Sequence, residues 1–211
     1  MKASESFIQV ESLDNTETSQ IVNAIDKLEN ESSSKQELKI KLHSLKGTLE
    51  HSLEIATAAH GASKVDLSID VYGANGPAAA IVCAAGKPGS RVASMGTTFI
   101  LNDKGAYEDG TKAADLEGED KIVYQTLSAL TGKRKYILDS IVKGVTIDVR
   151  GAKKIGIVDS IKEFKSKYIL PKTKKAESSG YIPAQRPESA QQVPVTEIPK
   201  GRGRRKSTSN Q

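Results

Sequence analysis

Two hydrophobic periods take turns along this chain. "ELKIKLHS" (37–44) sets Leu38, Ile40 and Leu42 on one side of an extended segment, and "KVDLSIDVYG" (64–73) alternates in the same way. Between them, "TLEHSLEIATAAHG" (48–61) reads as a helix, with Gly61 where a left-handed residue often closes one. Upstream, "SFIQVES" (6–12) predicts a strand. "TSQIVNAIDKLEN" (18–30) predicts a helix, with Ile21, Ile25 and Leu28 on one face and Thr18 or Ser19 as its cap. Downstream, 77–85 reads as a helix, "RVASMGTTFIL" (91–101) as one buried strand, and 115–132 and 133–144 as two helices. "VTIDV" (145–149), a short helix at 151–155 and "GIVDSI" (156–161) close the body. Strand, helix, strand in repetition is the signature of crossover connections. The order therefore predicts an α/β fold of repeated β-α units around a mostly parallel sheet.

That body occupies residues 1–170 as one domain. From 171 the periodicity stops, and the stretch to 211 holds five of the seven prolines, so composition predicts a disordered, Pro/Ser-rich tail. Aromatic residues make up 4% of the chain and Trp is absent, which leaves Ala, Ile, Leu and Val to build the core. No run approaches the roughly 18 apolar residues of a membrane span. The start, "MKASESFIQVESL", has no apolar export segment, and Cys83 is the only cysteine, so a cytoplasmic setting without disulfides is expected. The charge is unevenly placed. Of the net +5, the tail supplies nine Lys/Arg against three Glu, which leaves the body near −1.

"YGANGPAAAIVCAAGKPGSR" (72–91) carries a glycine turn, a small-residue helix and a Gly-Lys-Pro-Gly stop. With "LHSLKGTLEHSLEI" (42–55), "RVASMGTTFILN" (91–102) and "TGKRKYILDSIVKGVTIDVRGAKKIGIVDSI" (131–161), it resembles the Clp protease proteolytic subunit (ClpP) family, within the crotonase-like fold. The likeness runs over residues 6–162 in order and spacing. It implies a strand, glycine turn and helix around a nucleophilic serine, a strand ending at a histidine, and an aspartate in the closing stretch.

The catalytic residues of that family do not carry over. The nucleophile position falls on Pro77, the general-base position on Asn102 and the orienting-acid position on Gly144. A serine–histidine–aspartate relay needs a hydroxyl, an imidazole and a carboxylate, which these three cannot supply. The resemblance also maps the oxyanion-type backbone N–H donors to Lys46 and Ala78, with Lys46-Gly47 replacing a Gly-Gly pair. Pro77 suits the first helical position and Gly76 the cap before it, so a helix start would still aim free donors at the old site.

The resemblance then implies a catalytically inactive subunit, not an enzyme, acting in assembly of a ring-type homo- or hetero-oligomer with ClpP-like subunits. Two alternatives stay open. One is a phage virion or prohead structural protein derived from a head-maturation protease, with viral capsid components as partners. The other is a crotonase-like enzyme using only the backbone oxyanion hole. No cofactor, metal or membrane is expected.

Rival sites are weaker. Ser94 in "ASMG" (93–96) has no histidine downstream, since His43, His51 and His60 all precede it, and reads as a strand-interior serine. The histidines are spaced by eight and nine residues, which makes no helical metal pair. Cys83, on an Ala-rich helix, reads as a buried inert thiol. "GKPGS" lacks the Gly-Lys-Ser/Thr ending of a phosphate loop. The tail cluster Lys200, Arg202, Arg204, Arg205 and Lys206 suits nucleic acid or another acidic partner through charge alone, and equally suits a solvated end.

Overall fold

A computed structural model describes residues 7–163 apart from Leu45 and Asp103. The predicted tail and its basic cluster (200–206) lie outside the described residues. Strand β1 (Phe7–Val10) leads through helix α1 (Asn15–Glu31) to β2 (Gln36–Leu42), and α2 (Leu49–Gly61) leads to β3 (Val65–Val71). A two-residue strand β4 (Ala74–Asn75) precedes α3 (Pro77–Ala85) and β5 (Arg91–Ser94). Then come β6 (Thr98–Ile100), a 3-10 turn (Ala113–Asp115), α4 (Gly118–Thr131), α5 (Arg134–Lys143), β7 (Thr146–Asp148), α6 (Val149–Ile155) and β8 (Ser160–Lys162).

The main sheet has five strands in the order β1-β2-β3-β5-β8, every neighbouring pair parallel. The order advances in one direction from β1 to β5. Right-handed crossovers must then set α1, α2 and α3 on the same side. Burial follows that geometry. Leu38, Ile40, Leu42, Val65, Leu67, Ile69 and Val71 are buried under the helices, while Lys41, Ser68 and Asp70 stand partly exposed on the other face. Parallel sheets are usually covered on both faces. Here the second face is mostly polar, with Phe7 and Val92 among its charged and polar residues, and Lys162 reaches Asp70 at 3.4 Å across it. Helix α3 sits at the centre, packed against α2 and α4. Its residues from Ala78 to Ala84 are all buried, which explains why they are small and apolar on every side.

Four local expectations need correction. The stretch 91–101 is two strands: β5 belongs to the main sheet, and β6 to a second sheet in the order β4-β6-β7. The break is a turn in which Gly96 takes φ +88°, and Thr97 Oγ1 donates to Ser94 O at 2.7 Å. Ser94 is accordingly the last residue of its strand, not an interior one. Helix α1 starts at Asn15, because the Asp14 carboxylate accepts from the N–H groups of Thr16 (2.9 Å) and Glu17 (3.1 Å); Thr18 is buried inside the helix. Gly61 is the last residue of α2, and Ala62, in extended conformation, caps it.

Candidate functional site

The turn before α3 is held by a residue that the sequence reading passed over. Asn75 is fully buried, its Oδ1 accepts from Ser44 N–H (3.0 Å), and its Nδ2 donates to the carbonyls of Tyr72 and Gly73 (both 3.1 Å). Gly76 N–H donates to Ser44 O at 2.8 Å. These bonds tie the end of β2 to the start of α3. Pro77 occupies the first helical position behind the Gly76 cap, and the first helical bond runs from Ala80 N–H to Gly76 O (3.1 Å). The N–H groups of Ala78 and Ala79 lie ahead of that bond, at the positive end of the helix.

Lys46 and Gly47 come to the same place. Gly47 bridges Leu13, and at φ +147° an added Cβ would stand 2.6 Å from the Leu13 Cβ, so no side chain fits there. The result is a cleft of about 310 Å³ walled by Lys46, Gly47, Leu49, Pro77, Ala78, Glu119, Asp120 and Val123. Pro77 and the two expected backbone donors, Lys46 and Ala78, are therefore brought together. Two carboxylates that sequence reasoning missed join them. Glu119 is exposed, while Asp120 is buried and accepts a hydrogen bond from the Tyr107 hydroxyl. That bond, followed by burial, pushes the Tyr107 phenol up to about 12. Nothing local marks these carboxylates, which lie some forty residues beyond Pro77 in a different helix.

Asn102 and Gly144 sit together, but not among the walls of this cleft. Asn102 is buried. Its Nδ2 donates to Gly105 O (2.7 Å) and Ile141 O (3.0 Å), and its Oδ1 accepts from Lys104 N–H (2.7 Å). The amide thus ties the loop after β6 to the last turn of α5. Gly144 caps α5 at φ +56°, where an added Cβ would stand 2.7 Å from the Gly105 carbonyl carbon. Tyr107 N–H donates to Val142 O (2.7 Å) and completes the seam.

The other end of α3 is closed by an ion pair. Arg91 reaches Asp159 through Nη2 (2.5 Å) and Nε (2.8 Å), and Nη1 donates to Ala84 O (3.2 Å). Gly89 N–H adds a 2.7 Å bond to the same carboxylate. Burial pushes the Asp159 carboxyl up, but the Arg91 guanidinium and the backbone donors outweigh it and hold the group below the usual aspartate range. The Gly-Lys-Pro-Gly turn thus wraps a carboxylate of its own chain.

The remaining candidates are structural. Cys83 is fully buried against Ile157 O, and burial pushes its thiol up to about 12. The His43 ring stacks on Tyr72 with centroids 5.0 Å apart, and His51 Nδ1 lies 3.1 Å from Leu13 O. Among the described residues no cluster of three or more His, Cys, Asp or Glu could hold a metal, and no helix is long and apolar enough to cross a membrane.

The Clp protease family profile matches residues 2–165. No curated protein sequence matches the chain. Among solved structures, the crystal structure of the ClpP protease catalytic domain from Plasmodium falciparum aligns with a TM-score of 0.61 at 19% identity, covering 75% of this chain and 86% of that one. At that identity the likeness speaks for the fold.

Proposed function

The chain belongs to the Clp protease family, and from that premise we propose that it is a noncatalytic member whose work is assembly with ClpP-like subunits. The observation that carries this reading is the make-up of the cleft. Among the described residues, its walls offer backbone N–H donors, a lysine and two carboxylates, but no hydroxyl, thiol or imidazole. The proline ring stands at the helix position that the resemblance assigns to the nucleophile. Asn102, at the position assigned to the base, spends its amide on three backbone groups. Proteins of this family form oligomers, and an oligomer does not need chemistry in every subunit.

Two measurements test the reading. Peptide and acyl-ester substrates should survive the purified chain, and native mass spectrometry of the complex from its source should show the chain within an oligomer. Turnover abolished by a substitution in the cleft would overturn the first part, and a monomer at every concentration the second.

Glu119 and Asp120 favour one further reading. With the backbone of Ala78 and Lys46 and two carboxylates lining one cleft, the parts to hold an acyl-thioester oxygen and move an adjacent proton are in one place. Deuterium exchange into a short acyl-thioester, abolished by Asp120→Asn, would establish it. Exchange equal to buffer alone would remove it.

A further inference from the structure

Helix α5 begins with the wrong charge for a helix. Aligned peptide dipoles leave partial positive charge at a helix N-terminus, where carboxylates are favoured and cations are not. Helices α1, α2 and α4 follow that rule, with Glu17, Glu50, and the pair Glu119 and Asp120 in their first turns. The first turn of α5 holds no acidic residue, and Lys133, Arg134 and Lys135 crowd its start, all exposed. Among the described residues no ion pair involves any of the three. Lys133, at the cap, makes no side-chain bond to the helix. The N–H groups of Arg134, Lys135 and Tyr136 precede the first helical bond, which runs from Ile137 N–H to Lys133 O at 3.2 Å. The described residues leave this end positive.

A second, separate observation lies beside it, on the last turn of α4. Ser128 is only 7% exposed, and its hydroxyl has no hydrogen-bond partner among the described residues. Buried hydroxyls are nearly always bonded, because the water they lose must be replaced. Ser128 and Arg134 line one pocket of about 190 Å³, whose other walls are Tyr124, Gln125 and Ala129. No carboxylate is among those walls. An orphaned hydroxyl, a guanidinium, a phenol and an amide thus border one small space at the positive end of a helix.

We propose that this pocket is a binding site for a phosphate group, either the free ion or a small monoester. A phosphate is a compact acceptor with oxygens in several directions, which suits donors arriving from two helices. Arginine and a helix N-terminus both favour it, the first by paired charge-assisted bonds and the second by its dipole and free N–H groups. Its negative charge would also offset the three crowded cations. The pocket shares no wall residue with the cleft at Pro77, so the proposal does not depend on whether that cleft is active.

Calorimetric titration of inorganic phosphate into the full chain, at ionic strength held constant with sodium chloride, tests it. One saturable site per chain is expected. Arg134→Gln should weaken binding about tenfold and Ser128→Ala about fivefold, the loss of one charge-assisted and one neutral hydrogen bond. Lys27→Gln, an exposed lysine on α1, should bind as the parent does. Without phosphate, Ser128→Ala should keep the parent's denaturation midpoint or raise it, because the hydroxyl it removes bonds nothing. A parallel titration with glycerol phosphate separates the two sources: tighter binding of the monoester assigns the site to a phosphomonoester, and tighter binding of phosphate to the free ion. Three results would overturn the proposal. They are no saturable binding of either compound, binding unchanged by Arg134→Gln and Ser128→Ala, and a lowered midpoint for Ser128→Ala, which would give its hydroxyl a structural partner.

Discussion

The two ends of helix α3 meet the rest of the chain in opposite ways. At its C-terminal end, Ala84 O accepts from Arg91, Gly86 N–H donates to Cys83 O, and Asp159 collects the guanidinium and two backbone donors. At its N-terminal end, Gly76 offers no side-chain cap and Pro77 no N–H, while the N–H groups of Ala78 and Ala79 precede the first helical bond beside an open cleft. One end is finished by the chain's own chemistry, and the other is only positioned by it. Stability should therefore depend on the first end, and any chemistry or its loss should be read at the second.

The largest effect should follow from breaking the finished end. Arg91→Ala removes a buried guanidinium and strands a partly buried carboxylate, and should cost about 2–4 kcal/mol in urea unfolding. Pro77→Ser, at the open end, should stay within about 1 kcal/mol of the parent. Equal costs at the two sites would erase the distinction between them.

Between those extremes lies the middle of the helix. Ala79 is buried at 1%, and Ala79→Leu should overpack it by about 1–3 kcal/mol. An unchanged midpoint would mean that the helix has room that its burial denies.

The smallest effects concern pH. Asp159 is held below the usual aspartate range, so its contribution is present above about 3.8 and is lost as pH falls through the folded-state value. Arg91→Ala should flatten that acid limb. Tyr107 is raised from 10.0 to about 12, so its contribution is present below 10.0 and is lost as pH rises through about 12. In a spectrophotometric titration, Tyr107→Phe should remove a phenol that ionises near 12. Loss of an early-ionising phenol instead would mean that the bond to Asp120 does not form.

The same contrast decides what could be read from the sequence. Helix α3 was legible to the residue, because Gly-Pro opens it and Ala-Gly closes it, both local signals. The parallel order of the main sheet followed from the alternation of periods. The two strands within 91–101 were not separable, because a glycine turn inside an apolar run leaves the hydrophobic pattern intact. The Asp14 cap was missed because the helix extends three residues ahead of its first buried position, Thr18. Asn75 could have been found: an asparagine just before a Gly-Pro helix start is a ready lock for the turn. Glu119 and Asp120 could not, since only tertiary packing brings α4 to Pro77.

The most direct test of a noncatalytic site is a fluorophosphonate probe, which labels an activated serine whatever the substrate. Intact-mass measurement of the full chain after prolonged exposure should show no adduct, as expected of a cleft whose described walls hold a proline ring, a lysine and two carboxylates but no serine. One adduct per chain, mapped to Ser94 or to any other serine, would contradict the account at its centre.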